Sequence, residues 1–149
     1  MNFNTIAFIP IMILLLSSGI LMFSKTLNKG PLRQFLFTGA LSLAWILSGI
    51  STIALIWYLR TRGNFIVWIG SYHEEVAISY KFTMEGALIF FVALLITFLS
   101  WAYDRELRRD RAEFSIILFI QLFSIGATLF TRDLFNLFVA LEIMGISSY

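Results

Sequence analysis

Five apolar runs, separated by short charged or turn-rich connections, set the pattern of this chain. The first, Thr5 to Ser24, is long enough to cross a hydrocarbon core of about 30 Å as a helix, and Pro10 falls early enough in it to be accommodated. The second, Phe35 to Leu59, carries Gly39, Ala40, Ser42, Ala44, Ser48, Gly49 and Ser51, small residues that offer a surface for close helix packing. Trp57 and Tyr58 mark its interfacial end. The third runs from about Phe82 to Tyr103. The fourth, Phe114 to Thr131, contains Gln121, Ser124, Gly126 and Thr128, which favour contact with other helices over lipid. The fifth begins near Leu134. At about 1.5 Å per residue it covers roughly 24 Å by Tyr149, so an incomplete fifth span is expected.

The connections are equally informative. Asn28-Lys29-Gly30-Pro31 reads as a turn, because Gly accepts positive φ and Pro fixes the exit. The longest connection, Arg60 to Lys81, holds two β-favouring runs, Phe65 to Ile69 and Val76 to Tyr80, separated by Gly70-Ser71 and the polar group Tyr72-His73-Glu74-Glu75. This pattern predicts a small hairpin at the membrane surface. Asp104 to Glu113, DRELRRDRAE, mixes four arginines with four acids and reads as a solvated loop or helical extension. The N-terminal run has no Lys or Arg before it and no small-residue cleavage site after it, so it is expected to be retained as the first span and not removed as a signal peptide. The fold class that follows is an all-α membrane protein of about five transmembrane helices with a small strand-rich outer loop between the second and third. Residues 1–149 form a single transmembrane region, with no internal repeat, low-complexity linker or second domain.

Composition agrees. A chain of 149 residues that is 59% hydrophobic and 13% charged has too little polar surface to cover a soluble globule of its size. The net charge of +2 does not mark a nucleic-acid footprint, because the basic residues lie in short loops between apolar runs. They report topology instead. With the N-terminus outside, the inner connections hold Lys25, Lys29, Arg33, Arg105, Arg108, Arg109 and Arg111, and the outer ones Arg60, Arg62, Lys81 and Arg132. Seven against four favours that orientation in a cell membrane. The absence of cysteine excludes disulfides, thiol catalysis and cysteine-ligated metals within the chain.

The candidate chemistry concentrates at Glu142, a lone carboxylate inside the fifth apolar run. On a helix it shares a face with Phe135, Phe138, Val139, Ile146 and Tyr149, and Gly145 leaves room beside it. Asn136 and Ser147 fall together on a different face. A charge at mid-bilayer costs on the order of 3 kcal/mol on insertion scales, so such a group is protonated, paired or faces water. Desolvation raises a carboxylate's pKa and a nearby cation lowers it. A carboxylate balanced between the two is the requirement for a proton relay, and it needs a basic partner. No Lys, Arg or His lies within any of the five runs, so the partner must come from elsewhere. The alternative is a hydrogen-bonded Glu that acts as packing glue.

Other polar residues read more simply. Asp133 is placed as the N-cap of the fifth helix. Glu85 falls in the first turn of the third, where the dipole and interfacial water accommodate it. His73 with the adjacent Glu74 and Glu75 supplies too few ligands for a metal site. There is no glycine-rich phosphate loop, no nucleophile with a base and no haem-ligand pair, so no metal or cofactor is expected in this chain, and no chemistry by the chain alone.

The run DLFNLFVALEIMGISSY, Asp133 to Tyr149, resembles the fifth-helix motif of the antiporter-like membrane subunits shared by respiratory complex I, the Mrp sodium/proton antiporters and the membrane-bound hydrogenases. The Asp-Leu-Phe start, the Asn, the Glu at this spacing and the Ser-Ser-Tyr all fall in place. TMEGALIFF, Thr83 to Phe91, is similar to the family's third-helix start, with Glu85 where Asp is commoner. The resemblance implies the first third of such a subunit, with its N-terminus outside. It makes Glu142 the acidic member of the proton-pathway ion pair, with Asp133 and Asn136 as parts of the same motif and Glu85 as a weaker candidate. The usual partner of that glutamate is a lysine on the seventh helix, which this chain lacks.

Two functions are compatible with these residues. In the first, the chain is a membrane subunit of a multi-subunit proton- or sodium-translocating complex, of a redox-driven or an antiporter type, and works with other membrane subunits that supply the missing helices and the lysine. In the second, it is a transport-inactive structural or assembly subunit, or a split or truncated fragment, that packs against other membrane subunits.

Overall fold

The computed structural model describes residues 8–26, 31–69, 78–107 and 111–148, without the side chains of 23–26, 31–38, 40, 104–107, 111 and 112. Five helices follow one another in chain order: α1 (Ile9–Thr26), α2 (Pro31–Arg62), α3 (Met84–Leu107), α4 (Arg111–Phe130) and α5 (Leu134–Ser147). A hairpin of β1 (Phe65–Ile69) and β2 (Ile78–Phe82) lies between α2 and α3. Pro10 in the first turn of α1 and Pro31 at the first position of α2 occupy sites where a missing N–H leaves no helical bond unmade.

Three helical segments are long and apolar enough to cross a membrane, Leu41–Arg62, Met84–Tyr103 and Glu113–Phe130. The described apolar parts of the other two, Ile9–Met22 and Leu134–Ser147, are shorter. The helices thus match the five runs of the sequence, while membrane-spanning length among the described residues is reached by three of them.

Several boundaries differ from expectation: α2 begins at Pro31 and not Phe35, α3 runs on to Leu107, α4 begins at Arg111, and two further differences have a visible cause. α2 continues past Leu59 to Arg62, so Arg60 and Arg62 form its last turn and not a loop. Cations are favourable there because they face the negative end of the helix dipole. Gly63 then ends the helix with φ 81°, its N–H donating to the Leu59 carbonyl at 2.9 Å. That is the left-handed conformation for which glycine has no steric penalty. The second difference is at the end of β2, which reaches Phe82 where the sequence suggested a strand from Val76 to Tyr80; Val76 and Ala77 lie outside the described residues. Phe82 belongs to the strand and not to the third helix. α3 starts later because Thr83 caps it: the hydroxyl of Thr83 accepts from the Gly86 N–H at 3.1 Å, and Asn64 Oδ1 accepts from the Met84 N–H at 3.2 Å. The turns at Asn28–Gly30 and Gly70–Glu75, and with them His73, lie outside the described residues.

α1 packs on α2 and α4, and α3 packs on the same two, so the first four helices close a ring. α5 lies principally against α4, on the outside of that ring. Leu14, Leu21, Leu55, Phe90, Phe119 and Leu122 fill the interior. The small-residue surface of α2 is narrower than its composition suggests. Ala44, Ser48 and Thr52, spaced by four, are buried, whereas Ser42 is exposed and a Cβ on Gly39 or Gly49 would meet nothing within 4 Å. The close approach is made by α4 instead: a Cβ on Gly126 would lie 2.9 Å from Phe90 Cε2 and 3.2 Å from Ile11 Cγ1.

The hairpin closes one end of the ring. Its antiparallel register pairs Phe65 with Phe82 and Val67 with Tyr80, so these four side chains share one face. Phe82 is fully buried, stacked on Phe65 at 5.3 Å and on Phe130 of α4 at 4.7 Å. Phe8 meets Tyr80 and Phe82 edge-on at 4.9 and 5.1 Å. An aromatic cluster of this kind gains ring–ring attraction in addition to area burial. A bridge from Tyr80 to Thr131 and a hydrogen bond from the Arg132 N–H to the Ser79 carbonyl at 2.9 Å then fix the corner from which α5 departs.

Candidate functional site

α5 is built outward from that corner. Asp133 adopts an extended conformation (φ −96°, ψ 127°) and its carboxylate accepts from the Phe135 N–H at 2.9 Å, the N-cap its position predicts. Asn136, in the first turn, donates its Nδ2 to the Tyr80 hydroxyl and, at 3.1 Å, to Thr131 Oγ1. The first turn of α5 is therefore held to β2 and to the end of α4 by side-chain hydrogen bonds. The partner on β2 lies 56 residues away in sequence, so nothing local announces it.

Ala140 is the one described α5 residue that is buried, and it marks the face set against α4. Glu142 stands two residues further on, a rotation of about 200° at 100° per residue, and so projects from the opposite side. It is exposed. Its neighbours on that side are Phe135, Phe138 and Ile146, with exposures of 73%, 58% and 78%. Gly145 adds open space beside it, since a Cβ there would meet nothing within 4 Å. Of the residues grouped with Glu142 in the sequence, Phe135, Phe138 and Ile146 are exposed with it, Val139 is half-buried, and Tyr149 lies outside the described residues.

Along the helix axis, Glu142 follows Leu134 by eight residues, roughly 12 Å at about 1.5 Å per residue. With the start of α5 at the interface, that depth approaches the middle of a hydrocarbon core about 30 Å thick. Among the described residues no hydrogen bond or ion pair engages the carboxylate, and the ring of α1 to α4 lies behind it. Any cation that meets Glu142 must approach from the uncovered face.

The four singled-out residues do not converge on one cluster. Asp133 and Asn136 serve the start of α5, and Glu85 is exposed in the first turn of α3 at the hairpin end of the ring. Glu142 lies further along α5 than Asp133 and Asn136, on the side away from Ala140. Among the described residues there is no group of three or more His, Asp or Glu placed to hold a metal ion.

No family profile matches the sequence. Over its whole length, in an alignment of 152 residues, the chain is 30% identical to "Putative antiporter subunit mnhD2" of Staphylococcus haemolyticus. It spans 29% of the length of that relative. The chain is thus similar, over all of its length, to part of an antiporter subunit. Together with three membrane-length helices, this similarity makes the chain a multi-pass membrane protein.

Proposed function

From the premise that this chain is similar throughout to part of an antiporter subunit, we propose that it works within an ion-translocating, antiporter-like membrane complex, with Glu142 as a proton-exchanging carboxylate. The observation that carries this reading is the placement of Glu142 alone on the uncovered apolar face of α5, about two turns below the helix start. In lipid such a carboxylate is either neutral or paired. A cationic side chain, of the lysine kind, on a helix packed against this face would make its proton affinity depend on the distance between the two. Moving the cation would load or release the proton. Phe135, Phe138 and Ile146 would be covered by that same helix, which keeps water from short-circuiting the pair. The helix and its cation come from outside the described residues, either from other segments of the same subunit or from another membrane subunit.

The test is Glu142→Gln in the assembled complex. Glutamine keeps the size and hydrogen bonding of a neutral glutamic acid and cannot release the proton. Loss of ion-coupled proton translocation with assembly intact is expected, and undiminished translocation sinks the proposal. A structural role is favoured by one observation, the large apolar side chains around Glu142 that need cover regardless of transport. Under that reading Glu142→Gln leaves transport unchanged, and only substitutions that disturb the apolar face break assembly.

A further inference from the structure

The register of the hairpin separates its two faces. Phe65, Val67, Tyr80 and Phe82 point at the helix ring, so Ile66, Trp68, Ser79 and Lys81 point away from it. The Tyr80–Thr131 bridge extends the ladder by one short segment, and the Arg132 N–H bond to the Ser79 carbonyl places Arg132 opposite Ser79 on the outward face. Ser79 is thus flanked by Lys81, two positions along its own strand, and by Arg132 across the bridge, with Trp68 directly opposite on β1. Lys81 and Arg132 are exposed, Trp68 is 45% exposed, and Ser79 is half-buried.

The depth of this face is set by the helices it joins. Lys81 precedes the start of α3 at Met84 by three residues, and Arg132 follows the end of α4 at Phe130 by two. Groups so close to the ends of membrane-length helices lie in the headgroup layer, which occupies roughly 5–8 Å beyond the hydrocarbon on each side. The exposed indoles of Trp57 and Trp68 are at home at that level. The sequence at this end carries Arg60, Arg62, Lys81 and Arg132 against Glu74, Glu75, Glu85 and Asp133, so the end as a whole is balanced; on the outward face of the described strands and bridge the charged residues are Lys81 and Arg132, and the Asp133 carboxylate is engaged by its own helix.

We propose that the outward face of the hairpin binds the phosphate of an anionic phospholipid headgroup. Lys81 and Arg132 supply the charge, the Ser79 hydroxyl a further donor, and Trp68 packs on the glycerol region. Two cations, with no carboxylate among the described residues of the same sheet face, select a net negative headgroup over a zwitterionic one, whose own ammonium they repel. Placement at headgroup depth favours lipid over an acidic protein segment.

The assembled complex in detergent, titrated with phosphatidylglycerol or phosphatidylcholine and read by native mass spectrometry, tests this. Phosphatidylglycerol is expected to be retained preferentially. Lys81→Gln and Arg132→Gln should each weaken its binding on the order of fivefold, and the pair about 25-fold, from the contribution of one cation near an anionic surface. Lys81→Arg should restore it, and Arg105→Gln, at the far end of α3, should leave it unchanged. Equal retention of the two lipids, or phosphatidylglycerol binding undiminished in the double variant, overturns the proposal. So does a photo-crosslinker at position 68 that labels another subunit in place of lipid.

Discussion

Asn136 of α5 donates its side-chain amide to the hydroxyl of Tyr80 on β2, and through this bond the helix that carries Glu142 is tied to the hairpin that closes the helix ring. Thr131 accepts from the same amide at 3.1 Å, so Asn136 joins three elements with one nitrogen. α5 has little else to fix its rotation, since it packs principally on α4 and buries Ala140 alone among its described residues. The direction in which Glu142 projects therefore depends on a polar contact two turns away. Side-chain hydrogen bonds orient where apolar contact only adheres.

Tyr80→Phe should cost about 1 kcal/mol, the usual net worth of one hydrogen bond, and leave the aromatic contact with Phe8 in place. Asn136→Ala should cost more, since it removes the bonds to Tyr80 and Thr131 together. The double variant should fall short of the sum of the two singles by about 0.5–1.5 kcal/mol, the coupling expected of residues in direct contact. Thermal denaturation in detergent measures all three. Strict additivity would show that the bond does not hold α5 to β2.

Gly126 and Gly49 should respond in opposite ways to the same substitution. A methyl group at Gly126 enters space held by the Phe90 ring at 2.9 Å and by Ile11 at 3.2 Å, so Gly126→Ala forces α4 away from α3 and α1. Overpacking of this kind costs about 1–3 kcal/mol. Gly49→Ala meets nothing within 4 Å and gains helix propensity, up to about 1 kcal/mol. A denaturation series on both variants checks the sign of each. Destabilisation by Gly49→Ala equal to that of Gly126→Ala would mean that α2 is covered at Gly49.

Much of this architecture is written in the apolar runs, because a segment that must bury its backbone in lipid has few choices besides a helix. The hairpin was readable for a related reason, β-favouring residues confined to one polar connection. Its second strand is harder to place: Phe82 looks like the start of an apolar helix until Phe65 and Phe130 are seen stacked on it. Arg60 and Arg62 look like loop residues and are in fact the cationic end of α2. For Glu142 the periodicity groups it with Phe135, Phe138, Val139 and Ile146, of which Val139 is half-buried and the others exposed, but a helix apolar on all sides does not reveal which group faces its neighbours. That information resides in the contact of Ala140 with α4 and in the Asn136–Tyr80 bond, neither of which has a local signal.

Asp133 and Glu142 should separate by experiment. Asp133→Ala removes an N-cap and should lower stability by about 1 kcal/mol, while Asp133→Asn, which keeps an acceptor for the Phe135 N–H, should lose only part of that. Ion translocation per assembled complex should survive both. A transport defect in Asp133→Asn at unchanged stability would move Asp133 from the cap into the ion pathway.

Orientation provides the last prediction. Arg60 and Arg62 end α2, Lys81 lies on β2 and Arg132 precedes α5, so all four cations gather at the hairpin end of the ring. Of the other seven, Lys25, Arg33, Arg105 and Arg111 stand at the opposite ends of α1, α2, α3 and α4, and Lys29, Arg108 and Arg109 fall between them in sequence. The side richer in Lys and Arg is retained in the cytoplasm during insertion, which predicts that the hairpin end and the chain's N-terminus face outside. The absence of cysteine from the sequence makes this simple to measure. Thr61→Cys introduces one exposed thiol at the hairpin end of α2. A membrane-impermeant maleimide applied to intact cells should label it without permeabilisation. Labelling that requires permeabilisation would reverse the orientation, and with it the direction in which α5 carries Glu142 into the bilayer.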